Sequence, residues 1–436
     1  MTILLRNFDL LKSPLQPLLQ SSSLLIEDGV IEAIDPDLDS LETVDQVVNG
    51  EGRLLLPGLV NSHTHLGMTL FRGFRDDLAL GEWLEDWIWP AEELLTPEDV
   101  YWAALLGIVE GLHSGITCFA DMYFYMDSVA RALRDAGARG LISSGIIAPE
   151  LQGQGEEELC TAFKLVERWD GEAEGKISVA LSPHAPYTCG DEVWKEVVRY
   201  SRVEKVPIHT HLAETEREIE DSLDRHGKKP VARLRELGVL DCDVIAAHCI
   251  HLEEDEIDIL READIRPIYN PSSNMKLSSG IAPVARMAEL GMTVGLGTDG
   301  PATNNDLDMF EEMRVGGFLQ KLASDDPSVL DAPSLLSMAS SKGAAALGFD
   351  SLGSIKEGSR ADLIALDRDA PHLKPEYDVV SNLVYAGKSS DVDFVMVDGK
   401  PVLQDGQVTN VDESTVYREV AERADKFRKM RSKKTD

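Results

Sequence analysis

Polar and apolar positions alternate at both ends of the chain, and the pattern changes in between. Residues 1 to about 56 contain short alternating runs. Two of them, SSSLLIE and VIEAID, flank Asp28-Gly29, which predicts a hairpin turn between strands. The C-terminal part has the same texture: ADLIALD, NLVYAG, DFVMV and PVLQ are short apolar runs punctuated by Asp398-Gly399 and Asp405-Gly406. A charged helix is predicted from about Asp412 to Lys433. Between these β-rich ends, apolar runs of strand length alternate with helical stretches, the signature of repeated βα units and a parallel sheet. Eight runs qualify: LLLPGLVNSHTH, GITCFADM, RGLISSGII, KISVALSPH, VPIHTHLAE, VIAAHCIHL, IRPIYNPSSN and TVGLGTDG. Amphipathic material such as Pro97 to His113 or Val284 to Leu290 follows them. Eight such units close a barrel, so the expected fold is α/β, a (β/α)8 barrel over residues 57–350 between β-rich segments 1–56 and 351–436.

The net charge of −35 over 436 residues argues against binding a phosphate backbone, which needs clustered Lys and Arg. It fits a high-salt cytoplasm or a general solubility bias and says nothing about a reaction. Five cysteines, Cys118, Cys160, Cys189, Cys242 and Cys249, form no Cys-x-x-Cys pair, so neither a disulfide framework nor a zinc knuckle is expected and a reducing cytosol suits the chain. The N-terminus MTILLRNFDLLKSP lacks the pattern of a signal peptide, and no uncharged apolar run has membrane-spanning length. A soluble, cytoplasmic protein with neither nucleic acid nor membrane as partner is the expectation.

In an eight-stranded barrel the reacting groups sit where strands end and loops begin. His63 and His65 end the first run, His184 the fourth, His211 and Glu214 the fifth, His248 the sixth and Asp299 the eighth. His63 and His65 are two apart, so an extended strand points both to one face and they can share a metal; a pair of strand histidines facing the surface is the competing reading. HTHLAE offers His209 and His211, of which one need be a ligand. His211 lies nearer the rim, and His209 is read as a packed strand residue. Asp299 follows a glycine-rich strand, where a turn aspartate is the alternative. Three imidazoles and one carboxylate suit Zn²⁺ with room for a water. His113, His226, His251 and His372 are read as structural. The segment FRGFRDDLALGEWLEDWIWPAEE after the first strand is too long for a simple barrel loop and is expected to bind a ligand, with Trp87 and Trp89 anchoring it.

PGLVNSHTH, SPHAPYT, IHTHLAET, AAHCIHL, NPSSNMKLSSGIAPV and GLGTDGPATNN, in that order, closely resemble the amidohydrolase superfamily, specifically its methylthioadenosine/S-adenosylhomocysteine deaminase family. The likeness runs over nearly the whole chain and implies a small β-sandwich built from both termini. It implies His63, His65, His211 and Asp299 as metal ligands, Glu214 as proton shuttle and His248 as hydrogen-bond partner of the attacking hydroxide. Asp299 would accept the proton released from water. Binuclear members carry a carboxylated lysine at the end of the fourth strand; here that end reads SPHAPY and Lys176 lies at the other end, so one ion is expected, zinc, with iron or manganese able to use the same donors. Trp83 and Glu92 match positions that flank the nucleoside, the glutamate on the ribose hydroxyls, although Glu92 alone also reads as a helix-start acid. His184 is expected near the nucleoside as well.

The implied activity is hydrolytic removal of the 6-amino group from an adenosine-type nucleoside (5′-methylthioadenosine, adenosine, 5′-deoxyadenosine or S-adenosylhomocysteine), giving the inosine-type product and ammonia. The cytidine-deaminase type of zinc site is excluded, since its His-x-Glu and Pro-Cys-x-x-Cys pattern is absent. Relatives that use S-adenosylhomocysteine well place arginines near the third strand, yet LISSGIIAPELQGQGEEEL has none, which implies a preference for the shorter nucleosides. A guanine-, pterin- or triazine-type hydrolase is the alternative enzyme, and a non-catalytic barrel scaffold the alternative from another class. A small nucleoside is the expected partner, in a homo-oligomer.

Overall fold

The computed structural model describes residues 1–41 and 43–435. Five strands come first: Thr2–Leu10 (β1), Leu19–Glu27 (β2), Val30–Ile34 (β3), Gln46–Asn49 (β4) and Arg53–Pro57 (β5). The eight predicted runs follow, each as a strand: Leu59–Thr64 (β6), Ile116–Tyr123 (β7), Arg139–Ile146 (β8), Ile177–Pro183 (β9), Ile208–Leu212 (β10), Val244–His248 (β11), Arg266–Tyr269 (β12) and Gly295–Leu296 (β13). They pair in parallel in chain order, with helices covering the outside, so nearly every strand residue is buried on both faces. The predicted helix Pro97–His113 has those bounds, and the one expected from Val284 ends at Glu289. All eight strands point the same way, so their C-terminal ends share one rim.

The seam between last strand and first is closed by side chains and loop backbone. Asn61 and Thr298 exchange two hydrogen bonds, at 2.7 and 3.0 Å, and the Asp299 amide donates to the His63 carbonyl at 2.9 Å. Glycine makes this approach feasible, because a Cβ on Gly297 would stand 2.8 Å from backbone atoms of His63.

After the barrel come Leu363–Asp367 (β14), Val392–Val397 (β15), Lys400–Gln404 (β16) and Gln407–Val408 (β17). Both chain ends build one sheet, in the order β17-β16-β15-β14-β5-β1-β2-β3 with β4 also on β1. It wraps a core of its own that includes Ile3, Leu5, Phe8, Ile26, Phe394 and Met396. Asp28-Gly29, Asp398-Gly399 and Asp405-Gly406 all have positive φ (47°, 81°; 51°, 73°; 52°, 73°), as two-residue hairpin turns of the favoured hand require. NLVYAG corrects the sequence reading: it belongs to a helix, Val379–Tyr385. Asp378 caps it by accepting the Ser381 amide, and Val380, Leu383 and Val384 are buried at helical spacing. Among the described residues no helix is long and apolar enough to cross a membrane. The closing helix Glu413–Thr435 buries Phe427 edge-on against Phe71 and joins Lys426 to Asp99 at the start of the first barrel helix.

Arg139, at the N-terminal end of β8, ties the two bodies together. It donates to both oxygens of Asp362 at 2.8 and 3.0 Å and approaches Asp398 at 3.4 Å, with all three side chains buried. Replacing Arg139 with methionine strands the buried Asp362 carboxylate, while Asp398 keeps Arg360 at 3.1 Å, and is expected to cost about 3–5 kcal/mol of stability. Urea unfolding measures this, and an unchanged midpoint would contradict it.

Candidate active site

The rim is shaped by backbone that ordinary side chains avoid. Ala213, His248, Cys249 and Asp299, none of them glycine, have φ of 52°, 71°, 50° and 61°, the left-handed region. Such conformations persist where the surroundings hold them, and they gather at functional sites. Here they bend the chain sharply just beyond β10, at the end of β11 and beyond β13, turning side chains over the barrel mouth.

Four imidazoles and a carboxylate meet there. His65 Nε2 lies 3.1 Å from Asp299 Oδ1, and His63 Nε2 3.6 Å from the same oxygen. The His63 ring stands 5.0 Å from that of His211 and 5.7 Å from that of His248. Each ring is held by its other nitrogen. His65 Nδ1 donates to the Met122 carbonyl, His211 Nδ1 to the His184 carbonyl at 2.8 Å, and His248 Nδ1 to Asn274 Oδ1 at 2.8 Å. His63 Nδ1 sits 2.9 Å from His209 Nε2. With Nδ1 engaged, Nε2 is left bare toward the centre, the tautomer a metal ligand needs. Asp299 is divided in the same way, its Oδ2 accepting from Ser273 and Thr303 while Oδ1 faces the histidines.

These donors suit one divalent ion. Donor atoms of His63, His65 and Asp299, and of His63, His211 and His248, fall within 4.8 Å of one another. Bonds of about 2.0–2.1 Å in a tetrahedron set ligand atoms about 3.3 Å apart, between the two spacings found here. His63 Nε2 is fully buried without a hydrogen-bond partner, a costly state unless a ligand fills it. The electrostatics agree. Burial would lower His65, but hydrogen bonding and attraction to Asp299 outweigh it and raise it to about 9. Burial would likewise raise Asp299, but the attraction of His63 and His65, whose Nε2 atoms face its Oδ1, holds it well below the usual carboxylate range. The cluster therefore favours a positive charge at Asp299, the place a cation takes. Burial pushes His211 well down, leaving a neutral imidazole.

A cavity opens above the cluster. His65, His184, His211, His248 and Asp299 reach it from strand ends, Glu214 from the loop after β10, and Trp83 and Glu92 from the long loop after β6. The structure thus brings every residue singled out in the sequence to one place, with His63 sealed beneath. Burial pushes the Glu214 carboxyl up despite His248, whose Nε2 is 3.9 Å away. Glu92 Oε1 accepts from the Tyr123 hydroxyl at 2.6 Å, and burial raises its carboxyl to about 7.

Trp83 and Glu92, nine residues apart, would face opposite ways on a regular α-helix. A π-helical turn, Leu84–Ile88, intervenes: the Trp89 amide donates to the Leu84 carbonyl five residues back. The extra residue rotates Trp89 and Glu92 onto the wall that carries Leu80, Trp83 and Leu84. Trp87 is an anchor as expected, buried against Phe74 with the Arg75 guanidinium over its ring. Trp89 is only partly an anchor, since it also lines the cavity. His209 is fully buried, as a packed strand residue should be, but its hydrogen bond to His63 was not anticipated. Nor were Asn274, Ser273 and Thr303, whose only trace is the polar texture of NPSSN and DGPATNN.

Residues 54–402 match the model of the amidohydrolase family. The chain is 43% identical over 425 residues to a 5-methylthioadenosine/S-adenosylhomocysteine deaminase of Caldanaerobacter subterraneus subsp. tengcongensis, covering 97% of this chain and 98% of that protein. It is 45% identical over 403 residues to a protein of the same name from Carboxydothermus hydrogenoformans, covering 92% and 93%. Among solved structures, an adenosine deaminase from Xanthomonas campestris with bound zinc superposes with a TM-score of 0.93 at 35% identity, covering 98% of each chain.

Glu92 gives a pH signature. Its carboxyl binds a proton up to about 7 in the fold against an ordinary 4.5, so the folded chain holds more protons in that window. Its contribution to stability therefore declines as pH rises from about 4.5 to about 7, and the deficit persists above. Glu92→Gln keeps an acceptor for Tyr123 and removes the ionisable group. Its melting temperature should gain on the parent at about pH 8 and not at about pH 5. Thermal scans at both values check this, and an equal difference at the two would contradict it.

Proposed function

The chain belongs to the amidohydrolase family, among its 5-methylthioadenosine/S-adenosylhomocysteine deaminases, and on that premise we propose a zinc-dependent hydrolytic deaminase that replaces the 6-amino group of an adenosine-type nucleoside. The observation that carries the reading is one cavity with the His and Asp cluster as its floor, Glu214 on one wall and Glu92 on another. His63, His65, His211 and Asp299 would hold the ion; three imidazoles and a carboxylate suit zinc, and iron or manganese can take the same donors. When bound, the ion supplies Lewis acidity that brings the ionisation of a water into the neutral range.

The protein's own groups do the rest. His248 Nε2, bare because Nδ1 is turned to Asn274, accepts a hydrogen bond from the attacking water and orients it. Asp299 Oδ1 takes the proton that water loses. Glu214, whose burial favours the protonated form, delivers a proton to N1 of the purine as the C6 centre becomes tetrahedral. Asp299 passes its proton on to the amino group, which leaves as ammonia, and the C6 hydroxyl returns a proton to Glu214 as the carbonyl of the inosine-type product forms. Glu92 accepts from the vicinal ribose hydroxyls, with Trp83 and His184 bounding the nucleoside. Residues 147–158 carry no Lys or Arg but include Glu150 and Glu158, an unfavourable setting for an amino-acid carboxylate. The preferred substrates are therefore 5′-methylthioadenosine, adenosine and 5′-deoxyadenosine rather than S-adenosylhomocysteine. A cytoplasmic homo-oligomer, with each chain divided into sandwich 1–56, barrel 57–350 and sandwich plus helix 351–436, completes the reading.

Ammonia release from a nucleoside panel, using metal-reconstituted protein, tests it. Chelation should abolish turnover and added zinc restore it, and kcat/KM for the three shorter nucleosides should exceed that for S-adenosylhomocysteine at least about tenfold. A clear preference for S-adenosylhomocysteine would overturn the specificity. Release only from guanine, pterins or triazines, unaffected by Glu92→Gln, would move the chain to another ring chemistry, and no release from any compound would leave a scaffold. Glu214→Gln should lower kcat about 10²–10⁴-fold with metal retained.

A further inference from the structure

Between Leu212, the last residue of β10, and Glu214, a single residue turns the chain, and that residue is an alanine in the left-handed region. An alanine holds this conformation against the crowding of its own Cβ, so something must restrain it. The Ala213 carbonyl is occupied twice, by the amides of Ile250 at 3.0 Å and His251 at 2.9 Å. The next two amides are taken by one side chain: Glu218 Oε1 accepts from Ala213 N–H at 3.0 Å, and Oε2 accepts from Glu214 N–H at 2.9 Å. A left-handed residue brings successive N–H groups to one side, and a carboxylate with two oxygens fits the pair.

Helix capping is the plain explanation for a glutamate here. Thr215 caps the helix Glu216–His226 by accepting the Glu218 amide, and Glu218 stands where a capping-box acid stands. A capping-box acid, however, returns to the amide of the cap residue itself. Glu218 reaches past Thr215 to the two amides before it. Its side chain is 2% exposed, and no basic side chain is paired with it among the described residues. A buried carboxylate without a cation is costly, and the turn it holds accounts for its presence.

We propose that Glu218 is a positioning residue for the deamination: by clasping the Ala213 and Glu214 amides it locks the left-handed turn that aims the Glu214 carboxyl into the cavity. This rests on the reading of Glu214 as the proton carrier. Glu218 touches neither the substrate nor the ligand set, so its loss falls on turnover. Glutamine at 218 presents an amide NH₂ to a backbone N–H and leaves one clasp broken. Glycine at 213 adopts the turn without restraint.

The test compares E214Q, E218Q and A213G/E218Q by steady-state kinetics on 5′-methylthioadenosine, with metal content measured on the same samples. E218Q should retain its metal and keep KM within about threefold while kcat falls about 100-fold, and A213G/E218Q should recover at least about tenfold of that loss. Unchanged kcat in E218Q beside an inactive E214Q overturns the positioning role and leaves the deaminase reading intact. An active E214Q overturns both. A loss that lies in KM or metal content, or that glycine at 213 does not relieve, also overturns the proposal. Should E218Q not fold, the step from A213G to A213G/E218Q carries the comparison, expected in kcat and overturned by any other partition.

Discussion

The hydrogen bond from the Asp299 amide to the His63 carbonyl joins the last barrel strand to the first, and the site is built across that seam. His63 and His65 belong to one side of it and Asp299 to the other, so the donor set exists only when the barrel is closed. β13 is two residues long and makes few ladder bonds of its own. Close approach at Gly297 and the Asn61–Thr298 exchange do what a longer strand would otherwise do. The weakest strand is thus the one that delivers the carboxylate, and a bound cation would tie the same two strands together. Fold and ligand site support each other through one contact.

Burial sets the chemistry of the groups around that contact. It drives His211 and His184 neutral, so they can offer lone pairs or hydrogen bonds without repelling a cation. It drives Glu214 and Glu92 toward their protonated forms, Glu92 beside the Tyr123 hydroxyl and Glu214 near His248. Asp299 and His65 go the other way, each holding the other in its charged form against the pull of burial. Six acidic or basic groups are thereby pushed toward either neutral or charged forms within one small volume. Separating acids from bases in this way needs only position within the barrel mouth, and no exotic side chain.

Much of this could be read from the chain alone, for a physical reason. Strands in a parallel barrel are buried on both faces and stand out as apolar runs, and all eight were placed. Histidines and acids at the ends of such runs are conspicuous because they interrupt them, which is why the cluster at His63, His65, His211, His248 and Asp299 was legible. What escaped depended on local register or on partners far away in sequence. NLVYAG is as apolar as a strand, and only the Asp378 cap marks it as a helix. The π turn at Leu84–Ile88 shifts Glu92 by one residue's rotation, which no composition records. Asn274, Ser273 and Thr303 are ordinary polar residues whose work is defined by the atoms they face.

The sheet shared by both termini sets the order in which the molecule can be completed. β5 pairs along its length with β14, about 300 residues later, while the neighbouring β6 opens the barrel almost at once. At about 5–20 residues per second, a ribosome releases β5 on the order of half a minute before its partner exists. In that interval β1, β2 and β3 can form their hairpins, but the β5 edge stays unpaired and apolar, a template for the wrong strand. Synthesis of this chain therefore includes a waiting period in which a chaperone, or rapid burial against the growing barrel, keeps that edge from a neighbouring polypeptide.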